Sequence, residues 1–266
     1  MRWSRDAEEA ISKVPFFVKR RVKKKIELEA QAMGASEVTL QHVHTVKQNF
    51  MRKMEDDIKG YQIETCFGSS CCPNRIPQEN DLPERVEEIL IKSDLKTFLK
   101  SKVNGPLKFH HEFRVSFADC PNACSRPQIS DVGIVAALAP VVVGLECTQC
   151  GLCAETCLEK AITIESGMNL PSLDFNRCVY CGQCIKSCPN ETLARGKEGF
   201  RIMIGGKLGR HPRLATELDV IFSRGETLEL FERILGFFCQ YNHHGERLGE
   251  MVERVGVREV ERMLLS

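Results

Sequence analysis

The chain has 266 residues, 42% hydrophobic and 27% charged, with a net charge of +1. Such values exclude a disordered or collagen-like chain, and the near-neutral balance gives no general attraction to nucleic acid. Fourteen Cys residues stand out; in a chain of this length, and clumped as they are, they read as metal ligands rather than a disulfide frame. The opening MRWSRDAEEA is charged and lacks the apolar core of a signal peptide. The longest apolar run, Val132 to Leu145, is shorter than the roughly 20 residues that span a bilayer. A cytoplasmic, reducing and anaerobic setting is expected, with no membrane span.

Four segments follow in chain order. Residues 1–62 hold no Cys and read as helical, with Ala10, Ile11, Val14, Phe17, Val18, Val22 and Ile26 at helical spacing and Thr39 as an N-cap before Leu40. The run Lys19 to Lys25 has six basic residues in seven, and residues 1–60 carry 13 Lys/Arg against 9 Asp/Glu. A solvated helix face explains this, and a docking face for an acidic redox partner is the sharper alternative. His42 and His44 read as ordinary surface or core histidines. Residues 63–145 contain Cys66, Cys71, Cys72, Cys120 and Cys124. Helices are expected over Pro83 to Ile91 and Leu95 to Lys102, the second capped by Ser93 or Asp94. Phe113, Val115 and Phe117 alternate with polar residues as in a strand. Residues 146–195 form a compact double motif. Residues 196–266 open with a strand, Phe200 to Ile204, turn at Gly205-Gly206, and close in two helices with a break at His243-His244-Gly245. Cys239 reads as packing in an apolar helix.

The double motif carries the most chemistry. Cys147-x2-Cys150-x2-Cys153-x3-Cys157 recurs as Cys178-x2-Cys181-x2-Cys184-x3-Cys188-Pro189. Three thiolates in a tight loop and a fourth leading away to the other half is the pattern of a two-cluster ferredoxin. One [4Fe-4S] cluster then takes Cys147, Cys150, Cys153 and Cys188, and the other Cys178, Cys181, Cys184 and Cys157. The segments 161–164 and 171–175 suit a hairpin joining the halves. Paired zinc knuckles are the alternative for soft thiolates, but zinc has no use for a third CxxC step.

Outside this unit, Cys66-x5-Cys72 and Cys120-Pro-Asn-Ala-Cys124 form a second constellation. The stretch Phe117 to Arg126, followed by Ser130-Asp131-Val132-Gly133-Ile134, resembles the iron–sulfur/sirohaem domain of sulfite and nitrite reductases. The ferredoxin insertion after it, and the Gly turn Gly205 to Arg213, are similar to the dissimilatory sulfite reductase subunits. The expected fold is therefore α+β, with a small N-terminal helical domain (1–62), a sulfite-reductase-type α/β core in two parts (63–145 and 196–266) and an inserted ferredoxin domain (146–195).

This resemblance implies a third [4Fe-4S] cluster on Cys66, Cys72, Cys120 and Cys124. It also implies sirohaem bridged by Cys124 and a small anionic substrate such as sulfite or nitrite. Basic groups are needed for the macrocycle's carboxylates and for the anion. Arg126, Lys207, Arg210, His211 and Arg213 are the candidates for sirohaem, and Arg114, Lys207 and Arg210 for the anion, with His110 or His111 as proton donor. The family's preceding half, which supplies much of its anion site, has no counterpart here; the N-terminal segment, a second chain, or a second copy in a homo-oligomer would have to complete it.

Residues 3–46 carry Trp3, Ala7-Glu8, Val14 to Val18, Arg21, Lys24-Lys25, Ala30, Gly34 and Val38-Thr39. These resemble the small C-terminal domain of the B subunit of light-independent protochlorophyllide reductase. The leading expectation is an oxidoreductase fed by a redox partner protein. The alternative is an electron-transfer protein that keeps the reductase fold without sirohaem.

Overall fold

The computed structural model describes residues 1–77, 81–144, 147–164 and 169–266. It contains two compact units: residues 1–59 with 104–110, and residues 60–103 with 111–266. The expected start of the insertion at Glu146 lies outside the described residues. No described helix is long and apolar enough to cross a membrane.

The first unit holds β1 (Arg2–Trp3), α1 (Arg5–Ser12), α2 (Phe16–Ala32), β2 (Glu37–Val38) and α3 (Leu40–Asp57). The helical periodicity of residues 10–26 is split at Pro15, which N-caps α2. Ala7, Ile11, Ile26, Ala30, Val38 and Val46 form its core, with Trp3 packed against them. Thr39 caps α3 as expected, in a capping box completed by His42, whose Nδ1 accepts from the Thr39 backbone N–H at 3.0 Å. His42 thus serves a helix terminus, satisfying a donor that the first turn leaves open.

The second unit is built on a five-stranded sheet of order β3-β4-β5-β8-β9. In chain order its elements are β3 (Tyr61–Thr65), α4 (Gly68–Cys71), α5 (Leu82–Lys92), α6 (Leu95–Lys102), β4 (Phe113–Ala118) and β5 (Val132–Val142). The connection from β5 to β8 (Leu193–Ile204) carries α7 (Leu152–Thr156), β6 (Ile162–Thr163), β7 (Ser172–Leu173) and α8 (Gln183–Ser187). Then come β9 (Thr216–Phe222), α9 (Arg224–Tyr241), α10 (Leu248–Val255) and α11 (Val257–Leu265). β3, β4 and β5 run parallel, and β5, β8 and β9 antiparallel. Helix α9 packs on β8, β9 and α5, and its Phe231 and Phe238 meet Phe113 of β4, the first edge-to-face and the second tilted.

Three residues of the expected insertion, Leu193 to Arg195, and two of the expected N-terminal domain, Tyr61 and Gln62, belong to strands of this sheet. Charged residues from Arg195 to Glu198 hide strand alternation in β8, yet that stretch pairs antiparallel with Leu138 to Val142 on β5. The cysteine-rich double motif therefore fills the connection between two adjacent antiparallel strands, where an inserted unit leaves the surrounding ladder intact.

Candidate metal centres

The two halves of the double motif superimpose in sequence at an offset of 31 residues, and their backbones follow the same path. Positive φ recurs at Gln149 and Tyr180, at Gly151 and Gly182, and at Lys160 and Glu191. Each left-handed glycine opens a five-residue helix, α7 or α8, that carries the third Cys. These bends turn backbone N–H groups toward sulfur: Gln149 donates to Cys147 Sγ at 3.4 Å, Tyr180 to Cys178 Sγ at 3.4 Å and Ala161 to Cys157 Sγ at 3.3 Å. Such donors favour thiolate and are the setting of a ligated sulfur.

Tertiary folding gathers the thiols in crossed sets. Cys147, Cys150, Cys153 and Cys188 line one cavity. Cys157, Cys178, Cys181 and Cys184 line a second, of about 240 Å³. Burial, reinforced by the neighbouring Cys181, Cys178 and Cys157, pushes the Cys184 thiol up to about 12. Burial likewise raises Cys153 and Cys178. At Cys188 burial also pushes upward, but N–H groups of Leu193, Asn190 and Thr192 and the Thr192 hydroxyl outweigh it and hold the thiol below its ordinary value. Thr192 occupies the repeat position of Ala161, so only the second half has a hydroxyl there.

The second constellation stands at the C-terminal ends of β3 and β4. Thr65 pairs with Phe117 across these parallel strands, so Cys66 and Cys120 emerge side by side. Cys66 Sγ accepts from Asp119 N at 3.2 Å and Gly68 N at 3.4 Å. Gly68 is required by close approach, since a Cβ there would lie 2.5 Å from Asp119 Oδ2. Burial pushes the Cys120 thiol upward, and the charges of Cys72, Cys66 and Cys124 add to it; these four are thus neighbours. Cys71 is exposed, as is Cys124.

The second and third thiol sets adjoin. β4 ends at Ala118, leaving the β4-side edge of β5 open beyond Val135. The second ferredoxin loop fills that edge: Leu138 N donates to Tyr180 O at 2.8 Å, and Leu138 bridges Cys181 in parallel. The loop takes the place that a longer β4 would occupy, and Cys120, Pro121 and Asn122 line the same cavity as Cys157, Cys178, Cys181 and Cys184. Among the described residues, no group of three or more His, Cys, Asp or Glu is set to hold a single metal ion. Sets of four thiols with backbone N–H donors to sulfur are the donor chemistry of iron–sulfur clusters.

The basic residues behave differently. Lys207 is buried, with its ammonium 3.2 Å from Glu250 and 3.9 Å from Glu253. Arg213 pairs with Glu253 at 3.6 Å and donates to Gly205 O and Thr216 Oγ1. Both brace the Gly turn against α10. Arg126 faces Glu64 at 3.6 Å. Arg114 lines a small cavity with Arg126, Ser130 and Leu208, and its buried Nε has no hydrogen-bond partner among the described residues. Arg210 and His211 are exposed in the turn. His110 belongs to the first unit and His111 to the second. The charge pairing of Lys207 and Arg213 has no local signal, since their partners lie about forty residues further on.

Residues 60–265 match the nitrite and sulphite reductase 4Fe-4S domain, and residues 3–47 match the proto-chlorophyllide reductase 57 kD subunit. A coenzyme F420-dependent sulfite reductase of Methanocaldococcus jannaschii is 35% identical over 148 residues, 55% of this chain and 23% of that protein. The beta subunit of the dissimilatory-type sulfite reductase of Nitratidesulfovibrio vulgaris is 28% identical over 54% of this chain and 43% of its own length. The chain thus spans less than half of either relative. The crystal structure of dissimilatory sulfite reductase I shares the fold over 82% of this chain and 57% of that one, with a TM-score of 0.53 at 18% identity. The chain belongs to the nitrite and sulphite reductase 4Fe-4S domain family and is a sulfite-reductase-like iron–sulfur protein.

Proposed function

We propose that this chain is an iron–sulfur oxidoreductase of the sulfite/nitrite reductase type. In it, two ferredoxin clusters feed a third for reduction of sulfite or a related anion at sirohaem beside Cys124. The observation that carries this reading is the shared cavity in which Cys120 meets Cys157, Cys178, Cys181 and Cys184. The residues present fit three clusters, held by Cys147, Cys150, Cys153 and Cys188, by Cys157, Cys178, Cys181 and Cys184, and by Cys66, Cys72, Cys120 and Cys124. When bound, such cubes supply one-electron storage with little rearrangement of their surroundings. The chain's own part is to fix the thiolates with backbone N–H donors, to bury Cys120, Cys153 and Cys184, and to leave Cys124 at the surface.

Among the described residues the basic set expected for sirohaem is incomplete. Of the five basic residues expected for it, Lys207 and Arg213 are neutralised by Glu250 and Glu253, and Arg126 faces Glu64. A polycarboxylate macrocycle needs those cations uncommitted. In the proposed enzyme a partner protein or a second copy of this chain supplies the remaining groups. The same ion pairs favour a second reading, an electron-transfer protein with no sirohaem of its own. Anaerobically purified chain should hold about twelve iron and show no chlorin band in the red. A partner protein carrying the other basic groups, added with sirohaem, should produce that band in the oxidoreductase reading and leave it absent in the second. About eight iron would remove the third site from both.

A further inference from the structure

Arg201 lies on β8, in the core sheet, and reaches the second ferredoxin loop. Its Nη1 donates to Val179 O at 3.2 Å, and its guanidinium carbon stands 5.9 Å from the centre of the Tyr180 ring. On its other side Nε and Nη2 form a bidentate pair with Glu217 of β9, with Nη2 to Oε2 at 2.6 Å. A register shift between Arg201 and Met203 in the β8–β9 ladder lies at this residue, and irregularities of that kind re-aim a side chain. The Arg201 side chain is 14% exposed and that of Glu217 30%, so solvent screens the pair only partly. Tyr180 in turn stacks on Phe175 and gives its N–H to Cys178 Sγ. In the first half of the repeat, Thr148 and Gln149 stand where Val179 and Tyr180 do.

We infer that Arg201, oriented by Glu217, is a positioning residue that raises the reduction potential of the cluster held by Cys157, Cys178, Cys181 and Cys184. Adding an electron makes that cluster more negative. The pair is oriented with its positive end on the Val179–Tyr180 loop and its negative end on β9, so the reduced state is the one stabilised. Electrons arriving from the first ferredoxin half are thereby drawn to the site that borders Cys120. The inference rests on the three-cluster reading above.

The test is a redox titration of the anaerobically purified full chain with dithionite, followed by electron paramagnetic resonance of each cluster. Arg201→Gln should move one midpoint to more negative potential and leave the other two in place. Arg201→Lys, which keeps the charge, should recover most of that shift, and Glu217→Gln should move the same midpoint the opposite way. A packing role alone would give no such opposition in sign. Full iron content with all midpoints unmoved in Arg201→Gln overturns the inference while leaving the three-cluster reading intact. If Arg201→Gln fails to retain its clusters, the Arg201→Lys and Glu217→Gln comparison decides, and equal midpoints in both overturn it. Wild-type iron of about eight or below overturns the three-cluster reading itself, and this inference with it.

Discussion

Gly151 and Gly182 occupy equivalent positions in the two ferredoxin halves, and only one of them touches the core. Both have positive φ, +82° and +68°, so alanine at either carries a backbone cost of about 1–2 kcal/mol. A Cβ on Gly151 meets nothing closer than Glu155 Oε1 at 3.9 Å. A Cβ on Gly182 would lie 2.8 Å from Leu138 Cδ2 and 3.2 Å from Cγ. Leu138 is buried in the central strand and cannot swing away freely. Overpacking there adds about 1–3 kcal/mol. Gly182→Ala is therefore expected to cost more than Gly151→Ala by about 1–3 kcal/mol, or roughly 2–12 °C in melting temperature for a unit of this size. Anaerobic thermal melts followed by cluster absorbance measure this. Leu138→Ala in the Gly182→Ala background should recover part of the loss, as a non-additive pair. Equal melting temperatures for the two alanine variants would refute the docking of the second loop on β5.

Other consequences concern ligation and the ion pairs. Because the fourth thiol crosses between halves, Cys157→Ser should abolish the same resonance signal as Cys181→Ser, and Cys188→Ser the same one as Cys150→Ser; uncrossed pairing would exchange these partners. Asp131 is fully buried between Arg247 and the Arg114 backbone N–H, at 2.8 Å from the latter. Arg247→Leu leaves that carboxylate uncompensated and should destabilise the second unit by about 3–5 kcal/mol in denaturant unfolding; a cost below about 1 kcal/mol would mean that the pair contributes little. Burial pushes the Glu250 carboxyl up, but the Arg247 N–H and the Lys207 ammonium outweigh it and hold it below the usual range. A depressed folded-state value contributes stability that is complete above the unfolded value of about 4.3 and is lost as pH falls through the folded one. The stability gap between wild type and Glu250→Gln should therefore shrink as pH drops from about 5 toward 3, and a constant gap would contradict this assignment.

Local chemistry was legible in the residues themselves. Cysteine spacing marks both halves of the repeat because three ligands two residues apart require a tight loop, and such loops are written in consecutive positions. The same holds for the Thr39 cap, the strand Phe113 to Ala118 and the Cys120 to Cys124 turn, all decided within a few residues. What the chain does with its charges was not legible. Lys207 and Arg213 have the composition of an anion site, and only the packing of α10 against the Gly turn directs them to Glu250 and Glu253. Nor does spacing reveal that the second thiol set borders the third. That follows from β4 stopping at Ala118, which leaves Leu138 N–H on β5 in need of an acceptor, and the loop at Tyr180 supplies it. The sequence by itself determined which thiols could hold clusters, because ligand spacing is local. Tertiary structure alone decided which sets adjoin and which cations stay uncommitted, because both depend on strand neighbours and ion pairs far apart along the chain.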